Sequence, residues 1–308
     1  MQFDLRPSYS RFIYLALMLF LSIALIPAAL AKSGLSPIAD LMEKMYGKGN
    51  YSCNITDNKA TCTSSIAKDL DSVRLDNLAV DASLAGNRAT FSAAGMLRPK
   101  GKGDSAEDKA MQAMLPRMVK CTFDMSLGSS LLNQEFSCKA KHDPYDMKIK
   151  FYIDFKHKSF SSTSRIEEAV DLLKASEEKL PDELFIRIKR IEIEIDSTQP
   201  RLSEAIYAAV SAYETSLTKG EYESSVALSA SMVPIFLARS DKLDDTTKES
   251  ISAIGFNLGE IVLAKKKYLS IAIKNKLKDF VSFAKFKNFE QDDLLALLNQ
   301  SEITVKSR

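Results

Sequence analysis

The sequence has no tryptophan, two histidines and four cysteines, and only 11 glycines and 9 prolines in 308 residues. Scarce glycine and proline exclude a collagen-like or low-complexity fibre, and an apolar fraction of 45% excludes an intrinsically disordered chain. A single long apolar run excludes a polytopic membrane protein. A net charge of +2 lacks the positive excess that binding to a nucleic-acid backbone requires. The composition is therefore that of a folded chain that does not bind nucleic acid.

Motifs that carry enzymatic chemistry are also missing. The sequence contains neither a Gly-x-Gly-x-x-Gly nor a P-loop pattern, so we expect no nucleotide site. It has no Gly-x-Ser-x-Gly elbow, and its cysteines and histidines do not have the close spacing of zinc ligands. We predict a protein that is not an enzyme, has no catalytic residues, and needs no metal or cofactor.

The first 31 residues are typical of an export signal. Arg6 and Arg11 precede a charge-free segment, residues 12–31, which contains Pro27 and ends in Ala29-Leu30-Ala31. Small residues two apart are what a signal peptidase accepts, so we expect cleavage after Ala31. The alternative is an uncleaved anchor, since twenty residues just span a hydrocarbon core. In both cases the rest of the chain is exported, and the style of the signal points to a bacterial periplasm.

The four cysteines all follow the signal. An even number in an exported protein favours disulfides, and each neighbouring pair brackets a hairpin-like segment. We therefore predict local pairing, Cys53 with Cys62 and Cys121 with Cys138.

Two styles of sequence follow one another along the mature chain. From residue 32 to 165 apolar and polar residues alternate, which is typical of half-buried antiparallel strands. A helix is predicted over 165–180, and a last strand near 185–196. Residues 198–308 have helical periodicity, with helices predicted near 201–218, 221–239, 246–267, 268–286 and 290–299. The predicted fold is α+β: a disulfide-stapled, mostly antiparallel β domain (32–197) followed by a helical domain (198–308).

Residues 73–80 (VRLDNLAV) resemble residues 186–193 (IRIKRIEI). In each, the apolar positions on the two sides of a polar pair are out of phase for a flat strand. A bulge or a strand bend at Asp76-Asn77, and another at Lys189-Arg190, would return them to one face. Either a duplicated unit or a chance match explains the similarity.

Lysines are concentrated in the predicted helix 268–286 and just before it. Their spacing of 7, 4 and 7 residues would align four of them on one helical face. Such a face either keeps a bundle helix in water or contacts an anionic lipid or acidic partner. The four are Lys267, Lys274, Lys278 and Lys285.

These features favour an exported envelope protein that acts as a non-enzymatic binding or scaffolding module, with an envelope protein or a lipid surface as its partner. The alternative is a periplasmic or membrane-associated protein that binds an apolar or lipid ligand. A hydrolase without a recognisable motif ranks behind both.

Overall fold

The structure is a computed structural model that describes residues 35–70, 73–101, 104–161, 165–169, 172, 183–198, 200–287 and 290–308. The predicted export signal, residues 1–31, lies outside this range. Among the described residues, no helix is both long and apolar enough to span a membrane.

Twelve strands are described. They are β1 Tyr51–Ile55, β2 Lys59–Ser64, β3 Lys68–Leu70, β4 Val73–Ala85, β5 Arg88–Pro99, β6 Met118–Leu127, β7 Leu131–Lys141, β8 Tyr145–Lys156, β9 Phe185–Ser197, β10 Tyr268–Asn275, β11 Val281–Ser282 and β12 Ser301–Ser307. The helices with described bounds are α1 Ser36–Tyr46, α2 Ala106–Met114, α3 Arg201–Ser211, α4 Lys219–Ala238, α5 Asp245–Val262, α6 Phe283–Lys287 and α7 Gln291–Asn299.

The strands form one antiparallel sheet with the order β1-β2-β4-β5-β6-β7-β8-β9-β10-β12. The two short strands lie beside this path, β3 next to β4 and β11 next to β9. The predicted α+β class is confirmed, because helices dominate the second half of the chain and the sheet dominates the first. The predicted last strand near 185–196 is also confirmed, as β9.

Directly opposed residues give the sheet one apolar face. Both disulfides belong to a row that crosses ten strands without a polar side chain, because strands of alternating pattern place every second residue on the same face. The row is Cys53, Cys62, Val80, Ala93, Cys121, Cys138, Ile149, Ile193, Ile271 and Val305.

The neighbouring row on the same face contains four consecutive phenylalanines. It runs Ile55, Ala60, Ala82, Phe91, Phe123, Phe136, Phe151, Ile191, Ile273 and Ile303. Ring centroids of Phe136 lie 6.3 Å from Phe123 and 6.1 Å from Phe151, a spacing at which aromatic rings attract each other.

Both predicted bulges are confirmed. The pairing of β4 with β5 shifts between Asp76 and Ala79, and Asn77 adopts a positive φ of 52°. The pairing of β9 with β8 shifts at Lys189, which is left without a partner residue. At each bulge the opposite neighbour is also divided in two, into β2 and β3 beside β4 and into β10 and β11 beside β9. The divided neighbours precede β4 in the chain but follow β9, so the two regions differ in the order of their strands.

Helices cover the apolar face in two places. The first cluster packs α1, a helical turn at 166–169 and α6 on strands β2 to β9. The second packs α2, α3 and α5 on β8, β9, β10 and β12. Phe155 in the first cluster and Tyr145 in the second are ten residues apart on β8, and an even separation puts them on the same face.

One predicted helix is wrong. Residues 268–275 form strand β10, which pairs with β9 and β12, and the segment up to 287 continues as a loop, β11 and the short helix α6. In YLSIAIKN the apolar residues alternate, so the segment also fits a strand, and the free edge of β9 decides the outcome. The domain division at 197/198 stays a prediction. The sheet and the second cluster both continue across that position.

Candidate functional site

The predicted disulfide pairing is confirmed. Cys53 is bonded to Cys62 and Cys121 to Cys138, and both pairs join directly opposed residues of neighbouring strands. Three of the four, all except Cys53, are buried within the apolar face. The disulfides therefore serve as cross-strand staples of the core. They also fit an oxidising, exported compartment.

The four predicted lysines do not share a helical face. Lys267 precedes β10, Lys274 lies near its end, Lys278 is in the following loop and Lys285 is in α6. Seven residues span about 10 Å on a helix but about 23 Å on a strand, so Lys267 and Lys274 are far apart. The predicted arrangement is wrong, because it depended on a helix that does not form. Whether these lysines bind an anionic partner stays a prediction.

The histidines have local structural contacts. His157 is buried, and its Nδ1 accepts a hydrogen bond from the backbone N–H of Ser159 at 3.1 Å. Burial lowers the pKa of His142, whose ring stacks on Tyr145 with centroids 5.5 Å apart. Within the described ranges, no group of three or more His, Cys, Asp or Glu side chains is arranged to hold a metal ion.

A buried ion pair lies on the polar face of the sheet. Arg187 Nη2 donates to Asp154 Oδ2 at 2.6 Å, and Lys189 Nζ lies 3.4 Å from Oδ1 of the same carboxylate. The Arg187 guanidinium also covers the ring of Phe280 at 4.6 Å and donates to the carbonyl of Lys278. These contacts fasten the loop 276–280 to the second bulge, so we assign the ion pair a structural role.

A shallow depression of about 350 Å³ lies beside this ion pair. Its wall includes Arg88, Asp124 and Glu135, and burial, together with the nearby Glu135, raises the pKa of Asp124. Lys150 pairs with Glu135 at 3.4 Å. Charges of both signs line the depression, so it has no clear preference for either an anion or a cation.

The helical hairpin α4–α5 presents a different kind of surface. Its two helices approach closely because Gly255 and Gly259 of α5 have no side chains where they face α4. A Cβ atom added at Gly259 would lie 2.8 Å from the Cβ of Ala230 on α4, and one added at Gly255 would lie 3.0 Å from Val233. Apart from α5, no described element packs extensively against α4.

The outer side of α4 is apolar and open to solvent. Leu228, Ile235 and Phe236 have 61%, 55% and 60% of their surface exposed. Leu228 and Ile235 are seven residues apart and therefore lie on one helix face, whereas the α5-facing residues Ala230 and Val233 lie on the opposite one. We call the face that carries Leu228, Ile235 and Phe236 the outer α4 surface.

A charged residue lies at each end of this surface. The Thr218 hydroxyl and the Glu221 carboxylate form a capping box at the start of α4, and these hydrogen bonds lower the pKa of Glu221. Arg239 follows the last helical residue, and among the described residues no carboxylate lies within ion-pair distance of it. The outer α4 surface is thus acidic at its start, apolar in the middle and basic at its end.

This surface was missed at the level of sequence, although a signal was present. Residues 224–238 (SSVALSASMVPIFLA) contain no charged side chain. Small residues and serines hide the apolar periodicity, because they are compatible with both a buried and an exposed helix. Only the tertiary packing of α4 shows that Leu228, Ile235 and Phe236 remain uncovered.

No protein-family model matches the chain, and no curated protein matches it either.

Proposed function

We propose that this protein is a non-enzymatic binding or scaffolding module of a bacterial envelope, and that it acts through the outer α4 surface. The single observation that supports this function is the cluster of Leu228, Ile235 and Phe236, three large apolar side chains exposed on one helix. Contiguous apolar surface of this kind marks interaction sites in folded proteins. The two disulfides support an exported location.

A partner gains free energy at this surface by covering its apolar side chains. Covering a large aliphatic or aromatic side chain contributes about 1.5–3 kcal/mol relative to leaving it in water. The other exposed side chains of α4 are smaller or polar, so the three residues lie where an incoming apolar surface removes the most water. Large apolar side chains along one face of a preformed helix are the anchors by which a helix binds in an apolar groove of a partner.

Site-specific photo-crosslinking in the producing cell tests the proposal. A photoreactive residue at Ile235 should give adducts of defined mass, whereas the same residue at Leu294 on α7, where 47% of the leucine is exposed, should give none. Equal labelling at both positions would contradict the proposal, since it would mean that the outer α4 surface is no more occupied than ordinary surface.

A second candidate function is the binding of an apolar or lipid ligand on the apolar face of the sheet. Phe136, Ile149, Phe151 and Ile191 are only half-buried, and they lie between the two helix-covered clusters. Native mass spectrometry of gently purified protein should then retain a lipid. Phe151→Asn should lower the retained fraction, and Tyr152→Asn, on the opposite face of β8, should not.

A further inference from the structure

We infer that the outer α4 surface binds a second copy of this chain, with the two α4 helices antiparallel across a twofold axis. This inference rests on the proposed role of that surface and names its partner. The supporting observation is the order of residues along the exposed face of α4. When a second α4 is placed antiparallel to the first, acidic residues face basic ones and apolar residues face apolar ones.

Four exposed residues follow one another along α4, and we call them the exposed line: Glu221, Leu228, Ile235 and Arg239. Successive separations of 7, 7 and 4 residues keep all four on one side of α4, which continues as helix through Pro234. Reversing the partner helix therefore places the acidic start of one α4 against the basic end of the other. It also brings the apolar centres together.

The same axis satisfies both kinds of contact. The midpoint between Glu221 and Arg239 is residue 230, and the midpoint between Leu228 and Ile235 is 231.5. At 1.5 Å rise per residue these midpoints differ by only about 2 Å along the helix. A single twofold axis near residues 230–231 thus pairs Glu221 with Arg239 twice and interleaves the four apolar side chains.

Other occupants fit the surface less well. The predicted export segment leads into α1, which packs on β1 and β2, whereas α5 holds the hairpin near β10 and β12. These strands are at opposite ends of a ten-strand path, which measures about 40 Å along the sheet at about 4.8 Å per strand. A surface of anionic lipid is disfavoured by Glu221, which lies on the exposed line itself.

The experiment measures molecular mass in solution, by light scattering or sedimentation, for residues 32–308 with both disulfides intact. The wild type should form a dimer that dissociates on dilution. Leu228→Lys combined with Ile235→Lys should give a monomer with unchanged circular dichroism, and Leu294→Lys should remain dimeric. A wild type that is monomeric at high protein concentration, or a dimer that survives the double substitution, would overturn the inference.

A charge exchange tests the antiparallel register. Arg239→Glu and Glu221→Lys should each weaken the homodimer, by about tenfold or more in dissociation constant, because each places like charges at both ends. A mixture of the two variants should form a heterodimer, since both end pairs then have opposite signs. Failure of the mixture to associate while the wild type dimerises would refute this register.

These outcomes separate the two proposals. A monomeric wild type that still gives Ile235 adducts with a different protein, or that binds phosphatidylcholine–phosphatidylglycerol vesicles through Leu228 and Ile235, overturns only the second copy as partner. Absence of adducts at Ile235 overturns the proposed function itself.

Discussion

Removal of the buried Asp154 carboxylate should destabilise the protein strongly. Removal of an exposed carboxylate on the same strand and the same face should have a much smaller effect. Asp154 is 1% exposed and contacts both Arg187 and Lys189, with its closest contact at 2.6 Å. Breaking a buried ion pair by removing one partner costs about 3–5 kcal/mol, because the other charge is left without compensation. Lys189 is half exposed and water can replace its contact, so we expect about 3 kcal/mol for Asp154→Ala.

The matched control is Asp146→Ala. Asp146 also lies on the polar face of β8, but its side chain is 41% exposed, and its partner Lys139, at 3.4 Å, is 48% exposed. An exposed pair contributes at most about 1 kcal/mol. Urea unfolding of both variants at neutral pH measures the difference, with unchanged m-values required for the comparison. Two variants that agree within about 1 kcal/mol would refute the structural role assigned to Asp154.

Three further predictions concern the α4–α5 hairpin and the four lysines. Gly259→Val should destabilise the α4–α5 packing by about 1–3 kcal/mol in thermal unfolding, whereas Gly220→Ala, with open space around the new methyl group, should be neutral or stabilising; equal effects would mean that the helices can separate without cost. Hydrogen bonds from Thr247 lower the pKa of Asp244 at the start of α5. The stability advantage of wild type over Asp244→Asn should therefore be fully present at neutral pH and disappear as the pH falls below the ordinary aspartate value of about 4 and through the lowered one; an advantage independent of pH would exclude the charge as its source. A fourfold Lys→Gln variant should be as stable as the wild type, since exposed charges contribute little. Neither protein should bind anionic vesicles in a salt-sensitive way, and such binding by the wild type alone would support the anionic partner. The four positions are Lys267, Lys274, Lys278 and Lys285.

The bulges and the disulfides were predictable because their causes are local. A strand has a period of two, so a phase slip in VRLDNLAV or IRIKRIEI requires a bulge or a bend wherever the strand lies in the sheet. Cysteines that flank a short hairpin come into contact as soon as the hairpin forms. The start of α4 is equally local, because the capping box joins Thr218 to Glu221 only three residues away.

The helix predicted over 268–286 and the exposure of α4 depended on contacts that are distant in sequence. YLSIAIKN is compatible with helix or strand by composition, and it becomes β10 because its alternating apolar residues complete the row next to Ile191 and Ile193 of β9. Leu228 and Ile235 would be read as core residues in any amphipathic helix. They remain in solvent because α5, through its glycines, packs against the opposite side of α4. No other described element packs extensively against α4. Period and spacing thus determined which residues share a face, and tertiary packing alone decided which of those faces is covered.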